Sequence, residues 1–296
     1  MMAMIVQLNE FEPMTSNIVN GLKIFGIKSE IIGDKYGFHV DYSNPIHLHY
    51  LMSWNIPLSM IKAKNIIVHC HGSDSDIIKW KYHIPKTFLN IRKPLCLYAM
   101  PCLKNRLKWY RGEKKYFPIP IDTSRFKPIK AKKYPGRVLI WSQLSKVKGV
   151  EISFEVARLR PDLEFDIPYY GWDKEYYRKS APKNVNFIEP VEHDLVPNLI
   201  NKYEIAIGDF TKWGSFGTAP LETLACNVPT IHYIHPEHKY FYDTFPPFLN
   251  AKKPAEIAKL LDEREKTNTY RWVDKNHGLS NMMKFLIEIY RTQGFI

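Results

Sequence analysis

"PIPIDTSRFKPIKAKKYPG", residues 118 to 136, decides the fold. It is polar, rich in Pro and Lys, and interrupts an alternation of short apolar runs and helical segments that resumes on its far side. Such a stretch between two periodic regions reads as a linker. Upstream, "AMIVQLNE" reads as a strand, and a helix follows around Ser16 to Phe25 and ends at Gly26. "SEIIGD", "PIHLHYL", "NIIVHCHG" and "PLCLYAM" are short apolar runs bounded by polar or turn residues. "LKNRLKWYRG" between Leu103 and Gly112 reads as helical, and "KKYFPIPID" as a returning strand. Downstream, "RVLIWSQ" is a strand, "GVEISFEVARLRP" a helix and "LEFDIPYYG" a strand. "VNFIEPVEHDLVPNLINKYEIAIGDF" then reads as strand, helix, strand, and "AEIAKLLDER" and "NMMKFLIEIYRTQ" as late helices. Strands that alternate with helices form parallel, doubly wound sheets. The expectation is α/β, with two such units in series.

A chain of 296 residues, 45% hydrophobic, has the length and apolar content for two cores. No segment reaches the roughly 18 consecutive apolar residues of a membrane span. The opening "MMAMIVQLNEFEP" meets Glu10 and Glu12 early and reads as a first strand rather than a signal peptide. Cys70, Cys96, Cys102 and Cys226 show no C-x-x-C spacing and sit in apolar runs, so free, buried thiols and a cytoplasmic setting are expected.

The net charge of +12 is unevenly placed. From Lys79 to Lys148 there are 19 Lys and Arg against Glu113 and Asp122, a net of +17, which leaves −5 for the rest. Aromatics are interleaved in "IIKWKYHIPKTFLNIRK" and "LKNRLKWYRGEKKYF". Three readings stand: a solvated basic face; a surface for anionic lipid, worth about 1 kcal/mol per Lys or Arg; and single-stranded nucleic acid. No zinc-finger or RRM signature supports the third, so a nucleic-acid partner is not favoured.

The densest stretch is "KWGSFGTAPLETLACNVPTI", residues 212 to 231. A loop carrying Gly214, Ser215, Gly217 and Thr218 runs into a helix bearing a lone acid, Glu222, and stops at Pro229. A helix N-terminus behind a glycine-bearing loop is an anion site, because its first N–H groups lack intrahelical partners. By itself, Glu222 could equally be a surface carboxylate facing the helix dipole. Lys148, in "SQLSKVKG", could by itself be an ordinary solvated lysine.

"PIPIDTSRFKP", "VLIWSQLSKVKG", "VNFIEPVEHDLVPNLINKYEIAI", "SFGTAPLETLACNVPTI" and "VHCHGSD" together resemble the retaining GT-B glycosyltransferases of the "group 1", family-4 type. The resemblance covers most of the chain, strongly in the C-terminal half and weakly in a short N-terminal half. It implies two Rossmann-like domains facing a cleft (GT-B): an acceptor-side domain over 1–120 and a nucleotide-sugar domain over 121–275, with a C-terminal helix over 276–296 packing back on the first. It also implies transfer of a sugar from a nucleotide-diphosphate sugar to a hydroxyl, without cofactor or metal. Lys148 stands where the family binds the diphosphate, and Glu222 where it holds the ribose. Ser215, Gly217 and Thr218 form the anion-binding loop, and His71 is the N-domain histidine near the transferred sugar.

Two positions depart from the family pattern. Gln143 replaces an arginine, so a neutral donor stands in for a charged fork, with Lys146 or Lys212 as possible substitutes. Gly214 replaces the first acid of E-x7-E, leaving Asp209, Thr211 or Ser215 to meet the sugar hydroxyls. Asp74, in the D-S-D of residues 74 to 76, reads as a helix cap or an acceptor-side contact rather than a metal ligand. His47/His49 and His69/His71 each place two imidazoles on one strand face, yet no third metal ligand is visible in the sequence. The remaining alternatives are a GT-B-like protein that binds nucleotide or sugar without turnover, and a basic nucleic-acid-binding protein. A peripheral position on the inner face of a membrane follows from the Lys79–Lys115 region if the lipid reading holds.

Overall fold

A computed structural model of the protein describes residues 4–8, 14–32, 40–49, 55–72, 83–263 and 268–296. The chain forms two compact units, Met1–Pro120 with His277–Ile296, and Ile121–Asn276.

In the first unit the strands are β1 (Ile5–Leu8), β2 (Ser29–Ile32), β3 (Ile46–His49), β4 (Ile66–Cys70), β5 (Leu95–Tyr98) and β6 (Lys114–Tyr116). They pair in parallel in the order β2-β1-β3-β4-β5-β6. The helices are α1 (Met14–Ile24), α2 (Asn55–Lys62), α3 (His83–Arg92), α4 (Leu103–Arg106) and, counted along the chain, α11 (Leu279–Thr292). Every residue of β1, β3, β4 and β5 is buried, as expected of parallel strands covered on both faces, and this includes the polar Gln7, His47, His49 and His69. α11 packs on α1 at Gly21, where an added Cβ would lie 2.4 Å from Cγ of Met283. Only glycine permits this approach. Buried Met282, Met283, Leu286, Ile287 and Ile289 anchor α11, at roughly 1.5–3 kcal/mol for each fully buried side chain.

The second unit has β7 (Arg137–Ile140), β8 (Glu164–Pro168), β9 (Val185–Ile188), β10 (Ala206–Ile207), β11 (Thr230–His232) and β12 (Leu249–Asn250), all parallel, in the order β12-β11-β10-β7-β8-β9. The helices are α5 (Val150–Leu159), α6 (Lys174–Ser180), α7 (Val196–Ile200), α8 (Thr218–Ala225), α9 (Pro254–Leu260) and α10 (Thr269–His277). Ile140, Phe165, Ile167, Ile207 and Ile231 form a core with Phe154 of α5 and Ile257 of α9. β7 lies beside β10, so the sheet grows one way through β8 and β9 and then reverses. In open α/β sheets, ligands sit at the carboxyl ends of the strands at such a switch point.

Three details differ from the sequence reading. The helix expected over 103–112 stops at Arg106, because the chain turns to bury Tyr110, whose hydroxyl donates to the carbonyl of Pro94. α6 and α10 carry too few periodic apolar residues to be read from sequence. The segment 121–136 is not a free tether. Ile121 and Phe126 are buried, Lys133 donates to the carbonyls of Asn201 and Tyr203, and the Ile129 N–H donates to Asn201 Oδ1. Of the four free cysteines, Cys102 is only partly buried. Among the described residues, no helix is long and apolar enough to cross a membrane.

Candidate functional site

The switch point of the second unit gathers polar side chains that the strand ends deliver. Trp141 and Ser142 follow β7, and Asp209 follows β10. Asp209 is 1% exposed. Its Oδ1 accepts from the Ser142 hydroxyl at 2.6 Å and its Oδ2 from Lys148 Nζ at 2.6 Å. Burial opposes ionisation of this carboxyl, but the Lys148 ammonium, the nearby His232 and the two hydrogen bonds outweigh it and hold it below its ordinary value. Lys148 sits in a single 3-10 turn ahead of α5 with its side chain 32% exposed, so one side of the ammonium faces Asp209 and another faces solvent.

Glu222, on α8, is 4% exposed, which removes the reading of a surface carboxylate. Its Oε2 accepts from Trp141 Nε1 at 3.0 Å, and its Oε1 pairs with His193 Nε2 at 2.8 Å. Arg125, a donor only, reaches His193 Nδ1 at 3.0 Å. His193 Nδ1 therefore accepts, and Nε2–H donates to Glu222. Each carboxylate oxygen keeps further acceptor capacity. Trp141, Arg125 and His193 were not identified by sequence reasoning, and Arg125 lies 68 residues from His193.

The loop ahead of α8 is shaped around Gly214. Its φ is +56°, its carbonyl accepts from the His235 N–H at 2.8 Å, and an added Cβ would lie 2.7 Å from that nitrogen and 2.7 Å from Tyr233 Cε1. The acid expected by resemblance is thus missing from a position where no side chain fits. Ser215 is buried, with its carbonyl 3.3 Å from His232 Nε2. Gly217 forms the N-cap of α8, with nothing within 4 Å of where a Cβ would stand, and half-buried Thr218 opens the helix. Gln143 is half-buried beside Ser142. The suggested substitute cations lie over aromatic rings: Lys146 over Tyr176 at 4.6 Å and Lys212 over Trp213 at 4.8 Å. Tyr170 borders the site. Tyr170 is 41% exposed overall; the partial burial of its phenol, then the carboxylates of Asp209 and Glu222, push it up to about 12.

In the first unit His71 follows β4 directly and is buried. Registers Gln7↔His47 and His49↔His69 put Gln7, His47, His49, His69 and His71 on one sheet face. His47, His49 and His69 bring nitrogen atoms within 4.8 Å of one another, so the third metal-ligating group not visible in sequence is present. Asp74, Lys79 and Lys81 lie outside the described residues. Part of the basic block serves the fold: Arg92 donates to the carbonyls of Met60, Ala63 and Lys64, and Lys114 to that of Tyr110.

No family model matches the sequence, and no curated protein matches it. Solved structures do. HepE of Anabaena, solved in complex with UDP, superposes with a TM-score of 0.72 at 12% identity, covering 98% of this chain and 100% of that one. The sucrose-phosphate synthase of Thermosynechococcus elongatus gives 0.75 at 10% identity, with 98% of each chain covered. A glycosyltransferase from Rickettsia africae gives 0.71 at 14%, covering 99% of this chain and 98% of that one. The two parallel six-stranded sheets with interleaved helices are the two-domain α/β fold of GT-B glycosyltransferases.

Proposed function

We propose that the protein is a GT-B glycosyltransferase that moves a sugar, a hexose by resemblance, from a nucleotide-diphosphate sugar to a hydroxyl acceptor such as a glycolipid, glycan or glycoprotein precursor, with retention. The observation that carries this reading is the linked set Glu222–Trp141–Ser142–Asp209–Lys148 on the switch-point edge of the second unit. Breaking the glycosidic bond concentrates negative charge on the leaving diphosphate, and fixed positive groups lower that barrier. The outward side of Lys148, the first N–H groups of α8 and the Thr218 hydroxyl supply them, so neither metal nor cofactor is required. Glu222, held by Trp141 and His193, accepts from the ribose hydroxyls. By resemblance, His71 is the histidine near the transferred sugar and Asp74 an acceptor-side residue. HepE, solved with UDP and with UDP-glucose, makes uridine nucleotides the first ligands to try.

Calorimetry with UDP, GDP, ADP and their sugars tests the reading. At least one diphosphate should bind in EDTA, and Lys148→Ala should weaken it about tenfold or more, the loss of one charge-assisted contact. Unchanged affinity in the variant, or binding abolished by EDTA, refutes the assignment. Gly214 favours a second reading, a protein that holds nucleotide without turnover. Good binding with no transfer to any acceptor would select it. The setting proposed is cytoplasmic, peripheral on an anionic membrane: on α3, Ile84 and Ile91, seven residues apart on one face, are 54% and 73% exposed in the basic region that carries Lys86 and Lys93.

A further inference from the structure

We infer that His193 is a positioning residue for the ribose end of the donor, held in that role by Arg125 of the 121–136 segment. Together they orient Glu222 so that the second unit takes ribonucleotides in preference to their 2′-deoxy forms, a role that rests on the nucleotide reading proposed above.

Four separate places in the chain meet here. Glu222 sits on α8 with its side chain 6% exposed, Trp141 follows β7, His193 opens the turn ahead of α7, and Arg125 comes from the segment before β7. The chemistry of the contacts leaves one assignment of hydrogens. The Trp141 indole and the Arg125 guanidinium only donate, and an ionised carboxylate only accepts. Arg125 Nη2, at 3.0 Å, therefore requires the lone pair of His193 on Nδ1, and the hydrogen on Nε2 points at Glu222 Oε1, 2.8 Å away. Both ring nitrogens are engaged, by partners of opposite kind, so turning the imidazole over would lose both contacts.

Arg125 is itself fixed. The Asp122 carbonyl accepts from the Phe126 N–H at 2.8 Å and its carboxylate from the Ser124 N–H at 3.1 Å, which closes the chain into a turn. The guanidinium lies over the buried Phe126 ring, 5.0 Å from its centroid. Phe126 also packs beside His193, with 5.3 Å between ring centroids. Arg125 Nη1 donates to Asp194 Oδ1 at 2.5 Å, but Asp194 is 82% exposed and such a pair adds little.

The consequence is directional. An ionised carboxylate offers about four lone-pair positions. Trp141 takes one on Oε2 and His193 one on Oε1, which leaves one on each oxygen, a match for two neighbouring ribose hydroxyls. Without the His193 bond the carboxylate turns about its last torsion, which is broad in glutamate, and the match is lost. The His193 side chain keeps 38% of its surface exposed, so the ring is part of what such a ligand meets.

Calorimetry of the full-length protein with UDP, GDP and ADP, each beside its 2′-deoxy form, tests the role. The ribonucleotide that binds should be favoured about tenfold or more over its deoxy form, the loss of one charge-assisted hydrogen bond. His193→Phe keeps a ring beside Phe126 and removes the donor. It should bring the ratio to about threefold or less, while inorganic pyrophosphate, which reads only the Lys148 side, binds as before. His193→Gln, with an amide donor, should keep more of the preference, and Arg125→Met should lower it with His193 intact. A general loosening of the unit would weaken pyrophosphate as well and leave the ratio in place. A wild-type ratio near one, or an unchanged ratio in either His193→Phe or Arg125→Met, overturns the inference. If His193→Phe does not fold, Arg125→Met decides. Wild type that binds no nucleotide overturns the inference together with the proposed function, whereas a ribose preference without sugar transfer counts against the enzyme reading alone.

Discussion

Lowering the pH to about 5 should open the first unit while the second stays folded. His47, His49, His69, His71 and His277 all belong to the first unit and are buried. Burial lowers His49 to about 3 and His277 to about 4, and holds the other three well below 6.5. A histidine whose folded value is lowered takes up a proton first in the unfolded chain. Its stabilisation is complete above pH 6.5 and is lost as pH falls from 6.5 towards the folded value. At pH 5 the loss is RT ln(1 + 10^1.5), about 2 kcal/mol, for each ring with a folded value of 3 to 4. His49 and His277 alone then remove about 4 kcal/mol, and the other three act in the same direction, against a typical total of about 5–15 kcal/mol. In the second unit His232, lowered to about 4, acts in this way. Asp209, held below 3.8, withdraws its contribution only as pH falls below that value. Hydrogen exchange read by peptide mass spectrometry between pH 7.5 and 5 should show β3, β4 and β5 losing protection first. Protection retained in β3 and β4 at pH 5, or earlier loss in β7 and β8, would refute the reasoning: the rings would then accept protons while folded, or a metal would hold them.

Gly214→Ala should cost about 2 kcal/mol or more, from a left-handed φ together with contact against the His235 nitrogen, read as a lower denaturant midpoint at constant slope. For the same reason Gly214→Glu should not restore sugar discrimination, and a nucleotide sugar should bind within about tenfold of its bare diphosphate, since a contact worth roughly 1.5–3 kcal/mol is absent. A hundredfold gain from one sugar would show that another residue replaces the acid. Charge reversal of Lys79, Lys81 and Lys86 together should reduce co-sedimentation with anionic liposomes and leave nucleotide binding intact. Wild type that ignores liposomes but binds single-stranded DNA at physiological salt would favour the nucleic-acid reading.

The α/β class was legible because buried parallel strands are short apolar runs between helical ones, a pattern that "NIIVHCHG" and "RVLIWSQ" carry locally. Glu222 and Lys148 were legible as candidates because a loop, a helix start and a K-G turn are also local signals. Their partners were not. Lys148 meets Asp209 across 61 residues, Trp141 meets Glu222 across 81, and Gln7 meets Tyr290 across 283. Those pairings follow from β10 lying beside β7 and from α11 returning to the first sheet. The sequence alone showed two H-x-H pairs, each on one strand face. Strand order and register then stacked them over Gln7, because in a parallel sheet paired residues share a face, and no local pattern records which strands pair.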